Sequence, residues 1–131
     1  MISPTGQGIR VDRSGRGTYL APRKDGIHYA NDFLCQVGQE VVAMEDETRI
    51  LRKAWPHPDT RDLCGLLVQG PTARMKMFNF EPLRNIVGRT VREGTVIGIA
   101  QDVSVYYDDP EMMPHIHVKV IHCDLISILE W

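Results

Sequence analysis

The sequence predicts an all-β protein, folded as a compact antiparallel sheet or sandwich. Three observations predict it. Short β-branched or apolar runs recur along the chain, among them "EVV" at 40–42 and "HIHVKV" at 115–120. Eight prolines and eleven glycines fall mainly between those runs, where turn residues belong. No segment sustains a helical period over three turns.

The elements follow in order. The first 25 residues are rich in Gly and Arg and read as a loosely packed N-terminal arm that packs on, or leads into, a single domain over 26–131. "VGQEVVAMED" is a turn, a short β-branched run and an acidic turn in which Glu45, Asp46 and Glu47 read as solvated. "TRILRKAW" is the next strand, and "LCGLLVQG" is an apolar one that ends at Gly70-Pro71. "ARMKMFNF" alternates, with Met75, Met77 and Asn79 on one face and Lys76, Phe78 and Phe80 on the other. "VGRTVREGTVIGIAQD" is a Gly-punctuated turn followed by a buried strand from Thr95 to Ala100. "PLRNIV" reads as a short turn, and "LISILEW" is the one C-terminal stretch that admits a helix.

Composition bounds the function. The chain has 131 residues, enough for one domain with a real core. Its 43% hydrophobic and 24% charged residues are ordinary for a globular protein. A formal net charge of −2 without a basic block gives nucleic acid no footprint. No apolar run approaches the roughly 20 residues that a membrane helix needs. "MISPTGQGIR" lacks the charged head and apolar stretch of a secretory signal, so no signal peptide is expected. Cys35, Cys64 and Cys123 are widely spaced, without a CxxC pair, and read as small buried residues rather than a disulfide framework.

Histidines carry the chemistry. In "MMPHIHVKVIHCD", strand alternation puts His115, His117, Lys119 and Ile121 on one side and Ile116, Val118 and Val120 on the other. An apolar face is explained by a core; two imidazoles on the opposite face are not. His28 lies in "DGIHYANDFLC", with Asp32 four residues later. Imidazole and carboxylate are zinc ligands, but four residues of straight strand span about 13 Å, so either the segment is helical, which Gly26, its shortness and Asn31 disfavour, or the chain bends at Ala30-Asn31 to bring both to one ion. Three such ligands with a position left open to water would make a catalytic-type zinc site. On spacing alone, the paired histidines read equally as a solvated face.

Four stretches in order, "GIHYANDFLCQVGQEVVA", "MKMFNFEPL", "VGRTVREGTVIGIAQ" and "MPHIHVKV", resemble the successive motifs of lysostaphin-like (LytM-type) zinc endopeptidases over roughly residues 24 to 121. "MKMFNF.P" also resembles the leukocyte cell-derived chemotaxin branch, a non-peptidase branch that keeps the zinc site. Small phage-encoded members are similar throughout, including the "YLAPR" lead-in. The resemblance implies zinc as cofactor, with His28, Asp32 and His117 as its ligands and His115 as a catalytic histidine. Active members usually carry a further histidine where this chain has Asn79. An amide can donate a hydrogen bond to a developing oxyanion but cannot exchange a proton near neutrality. Tyr106 or Tyr107 is the compensating donor in the loop before the paired histidines.

The function so implied is hydrolysis of the peptide crosslinks or stems of bacterial peptidoglycan. It would occur outside the cytoplasm, by a protein carried in a phage particle or released on lysis. Wall peptide is then its partner, with other virion proteins as neighbours, and neither nucleic acid nor membrane insertion is expected. The alternative is a catalytically inactive zinc-binding module with a structural or wall-binding role, favoured by Asn79. Elsewhere, His57 between two prolines reads as a loop residue, His122 as facing away from the metal, Met75 and Met77 as core or groove wall, and Asp108-Asp109 as loop caps.

Overall fold

Thr48–Ala54, "TRILRKA", shows why strands form here. Thr48, Ile50 and Ala54 are buried while Arg49, Arg52 and Lys53 stand in solvent. The same logic of one wet and one dry face, or of two dry faces, runs through the molecule. The computed structural model describes residues 1–8, 30–57 and 59–121 with their side chains, together with the backbone of 11–12, 15–16, 22–23, 26–27 and 122–123.

Thirteen strands and one short helix follow along the chain among the described residues. Four two-residue strands come first: β1 (Val11–Asp12), β2 (Gly15–Arg16), β3 (Pro22–Arg23) and β4 (Gly26–Ile27). Then come β5 (Asn31–Leu34), β6 (Glu40–Val42), β7 (Thr48–Ala54), β8 (Gly65–Gln69), β9 (Ala73–Phe78), β10 (Phe80–Pro82), β11 (Thr90–Val91) and β12 (Val96–Ala100). α1 (Val103–Tyr106) and β13 (His115–Cys123) close the described part. β1 pairs with β2 and β3 with β4. The main sheet has six strands in the order β11-β7-β8-β9-β13-β5, and a smaller one has the order β10-β12-β6. The pairings are antiparallel. This is the all-β antiparallel architecture that the spacing of runs and turns predicts.

The core is built from the inward faces of these strands. Leu66, Met75, Met77, Ile116 and Val118 from the large sheet join Phe80 and Ile97 from the small one, each at most 4% exposed. Each such side chain contributes about 1.5–3 kcal/mol by leaving water. Met75 and Met77 are core residues, one of the two places their alternation allowed. Residues 1–8 are not loose: Ile2 N–H donates to the Met44 carbonyl, Val42 N–H to Pro4 and Leu34 N–H to Gly8. The Thr5 hydroxyl donates to the Leu34 carbonyl at 2.6 Å. The remainder of the expected arm, and the helix expected in "LISILEW", lie outside the described side chains or residues.

Two expectations are corrected. The acidic turn is only partly solvated, because Glu45 is buried. It fits beside Gly70, where a side chain would collide with its carboxylate, and its Oε1 accepts from the Thr72 amide at 3.2 Å. The alternation of "ARMKMFNF" also ends two residues early, at Phe78. Phe80, expected on the face of Lys76 and Phe78, belongs to the other sheet and is fully buried. Among the described residues, no helix is long and apolar enough to cross a membrane.

Cys35 and Cys64 are buried free thiols, and nothing is described of the Cys123 side chain. Burial pushes the Cys35 thiol up from 9.0 to about 11. An unfolded thiol ionises first as pH rises, so the stabilisation held by this group is intact below pH 9 and is lost between about 9 and 11. Urea unfolding should therefore show a steeper stability loss over that window in the wild type than in Cys35→Ala. A second prediction concerns β8. A Cβ on Gly65 would fall on the Met77 carbonyl of β9, whereas one on Gly8 would meet nothing within 4 Å. Gly65→Ala should cost about 1–3 kcal/mol in thermal or urea unfolding, and Gly8→Ala should be near neutral.

Candidate functional site

β13 lies between β5 and β9, and its register assembles the site. His117 stands opposite Asp32 on β5 and Phe78 on β9, while His115 stands opposite Leu34. Residues directly opposed across antiparallel strands share a face. The alternating partners Ile116 and Val118 face the core, so the two imidazoles lie on the face of the sheet turned away from it. The backbone bends at Ala30, immediately before β5, where a bend was required for His28 and Asp32 to approach each other. His28 itself lies outside the described residues.

Asp32 is 2% exposed. Its Oδ1 is 2.8 Å from His117 Nδ1, and its Oδ2 is 3.7 Å from His115 Nε2. His115 Nδ1 is 2.8 Å from the Met113 carbonyl. A carbonyl only accepts, so this nitrogen carries the proton, and a neutral His115 turns the lone pair of Nε2 toward the carboxylate. Two acceptors then face each other across a gap that a proton or a cation would fill. The Asp32 carboxylate and the His117 imidazole are donors of the kind zinc takes, and 2.8 Å between them is a separation that one small cation can bridge. Zinc thus fits the donor chemistry present. Among the described residues, no group of three or more His, Cys, Asp or Glu side chains is arranged to hold a metal. The expected set would be completed by His28.

Asn79 joins the site from a sharp corner. It has φ +80 and is buried, between the end of β9 and the start of β10. Left-handed backbone is a conformation that Asn tolerates better than most side chains. Its N–H donates to the Cys64 carbonyl at 2.8 Å, and its carbonyl accepts from the Gln101 N–H at 2.9 Å. Its Nδ2 donates to the His115 carbonyl at 3.2 Å. The residue therefore fastens the strand that bears His115 to the corner where the chain changes sheets.

A groove of about 270 Å³ gathers these groups, lined by Phe78, Asn79, His115, His117 and Lys119 from the sheet region and by Pro56, His57 and Tyr107 from two loops. Larger hollows elsewhere, such as one of about 560 Å³ at Asp62, Asp102 and Tyr106, contain no imidazole. The Phe78 and His117 rings stack with centroids 6.0 Å apart. His57 Nε2 is 2.7 Å from the Tyr107 hydroxyl, and its ring stacks on Tyr106 at 5.1 Å.

His57 lies in a loop, as its place between two prolines predicts, and its ring lines the groove as well. Its signal was only "WPHP", which has no periodicity to aim a side chain. Two contacts position its loop. Arg61 lies 3.6 Å over the Trp55 ring, and Gln101 bridges the Cys64 N–H and the Asp62 carbonyl. Tyr107 follows α1, whose N-cap Asp102 accepts from the Ser104 amide at 3.1 Å. The His122 side chain is outside the described part.

No family model matches the chain. It is 27% identical over 115 residues to leukocyte cell-derived chemotaxin-2 of Bos taurus, covering 87% of this chain and 72% of that protein. It superposes on the catalytic domain of the antimicrobial peptidase lysostaphin from Staphylococcus simulans with a TM-score of 0.53, at 22% identity, over 89% of this chain and 90% of that one. The solution structure of lysostaphin gives a TM-score of 0.57 at 21% identity, over 87% of this chain. The chain spans about half the length of that lysostaphin structure, 49%. The chain has the fold of the lysostaphin catalytic domain, and it is similar in sequence to the chemotaxin.

The corner yields a prediction. Asn79→Ala and Asn79→Gly both remove the donor to the His115 carbonyl, at about 1–3 kcal/mol. Only glycine accepts the positive φ without strain, so unfolding experiments should find the alanine variant about 1 kcal/mol less stable than the glycine one.

Proposed function

We propose that this chain is a zinc-dependent endopeptidase that hydrolyses peptide bonds of bacterial peptidoglycan. The observation that carries the reading is the register of β13. It sets His117 against the buried Asp32 with donor atoms 2.8 Å apart and places His115 in the same groove. The lysostaphin-like fold agrees with it. His28, Asp32 and His117 are the proposed metal ligands. Bound zinc supplies Lewis-acid polarisation and an acidified water.

This chain's own residues do the rest. His115 is held by its Nδ1–H on the Met113 carbonyl, which leaves Nε2 to take up a proton or to stabilise charge beside Asp32. Asn79 has a second amide hydrogen beyond the one given to the His115 carbonyl, and that hydrogen is its proposed contact with a developing oxyanion. The groove admits an extended peptide and orients it against these groups. On this reading the protein acts at the cell wall, outside the cytoplasm, as a phage-encoded component.

A second reading is favoured by one observation. Asn79 spends its backbone groups and one amide hydrogen on structure, and it cannot exchange a proton. The chain would then be a zinc-stabilised module with a structural or wall-binding role.

Digestion of purified peptidoglycan with and without chelator, read by mass spectrometry, separates the two. The endopeptidase releases new peptide termini only when metal is present. His115→Ala should abolish that release with zinc content intact, and His117→Ala should lower both zinc content and melting temperature. Metal-loaded protein that releases nothing from several wall types would establish the second reading, and full zinc content in His117→Ala would defeat both.

A further inference from the structure

Amide hydrolysis has a requirement that the groups assigned so far leave open. As the water oxygen bonds to the carbonyl carbon and the C–N bond breaks, the leaving nitrogen must receive a proton. His115 has Nδ1 on the Met113 carbonyl and Nε2 toward Asp32. His117 has Nδ1 on Asp32, and Asn79 does not titrate. The groove nevertheless holds a third imidazole, brought by a loop rather than by the sheet. His57 Nε2 is 2.7 Å from the Tyr107 hydroxyl, and both residues line the groove with His115 and His117. Tyr106, stacked on the His57 ring with an interplanar angle of 14°, and the near-perpendicular Tyr107 ring fix the orientation of the imidazole. A pair locked by two aromatic contacts is more than a loop side chain that happens to be near.

We propose that His57 and Tyr107 form a proton relay to the leaving nitrogen of the peptide. This rests on the endopeptidase reading above. The Tyr107 O–H gives its proton to the nitrogen as the C–N bond breaks. The tyrosine oxygen takes the Nε2 proton of the His57 imidazolium. Of the two protons of the attacking water, one leaves to solvent as the carbon–oxygen bond forms; the other, lost when the product acid becomes a carboxylate, restores the imidazolium, so protons balance over a turnover. Tyr107 is the catalytic residue of the pair, because it touches the peptide. His57 acts through it as a positioning and proton-supplying residue.

The test uses synthetic glycyl and D-alanyl wall peptides, each made once with an amide and once with a thioester at the scissile position. A thiolate leaves without needing a proton; an amine does not. His57→Gln and Tyr107→Phe should each slow amide cleavage about 100-fold while thioester cleavage changes by less than about threefold. The double variant should be no slower than either single one, as expected of groups acting as a unit. Titration of the wild-type protein with the glycyl or D-alanyl product peptide should shift the ring resonances of His57 and Tyr107 in NMR spectra. Equal losses on amide and thioester would show a structural or binding role and overturn the relay, as would unchanged amide cleavage in either variant. A wild type that cleaves neither substrate with its zinc in place would instead overturn the endopeptidase reading, and the relay with it.

Discussion

Everything at the site depends on β13 lying in register between β5 and β9. Strand side chains alternate with a period of two, so a slip of one residue would turn both imidazoles into the core and carry Ile116 and Val118 into water. The register is held by burial, since those two apolar side chains are almost fully enclosed. The hydrophobic pattern thus sets the position of the polar chemistry. Asp32 meets His117 because Phe33 and Asn31 face the other way, not because carboxylate and imidazole sought each other out. Their attraction alone would be a poor guide, since a buried charge costs more to desolvate than a single partner returns unless further groups share it.

The second constraint is the corner at Asn79. A chain that leaves the large sheet after Phe78 and enters the small one at Phe80 must turn within one residue. The left-handed backbone at Asn79 makes that turn, and its bonds to Cys64, Gln101 and His115 hold the turn in place. Gln101 continues outward to Cys64 and Asp62, in the loop that carries His57. One buried amide and one half-buried amide therefore tie the sheet, the corner and a wall of the groove together. Such hydrogen-bonded polar clusters hold geometry tightly, because each broken bond would leave a buried group unsatisfied.

Much of this was legible from the sequence. Alternation in "HIHVKV" put Ile116 and Val118 in the core and both histidines off it, although Val120, expected with the apolar pair, is 46% exposed beside an irregularity in the pairing with β9, and the need for two ligands to converge located the bend before β5. These inferences succeed because burial enforces a period of two. The failures share an opposite cause. Asn79 looked like one more residue of an alternating strand, since nothing local marks where a chain will change sheets. Glu45 looked solvated because charge in a turn usually is; the space beside Gly70 that accepts it exists only after folding. His57 carried no pattern, and its place depends on contacts with Tyr106 and Tyr107, fifty residues away in sequence. Where a long-range contact decides, local pattern is silent.

The sheet has one dry face and one face of chemistry. Side chains on the two faces answer to different demands: the inner ones to packing, the outer ones to whatever enters the groove. The exposed members of the outer set can be exchanged at modest cost in packing, the buried Asp32, Phe78 and His115 less so, and the inner set can drift without disturbing the groove as long as the register survives. A scaffold of this kind can lose an activity and stay folded, or keep its shape while its groove is turned to another purpose. Asn79 is the exception, since it belongs to both sets at once. A change there is felt by fold and groove together, which makes the corner the least free position on an otherwise permissive surface.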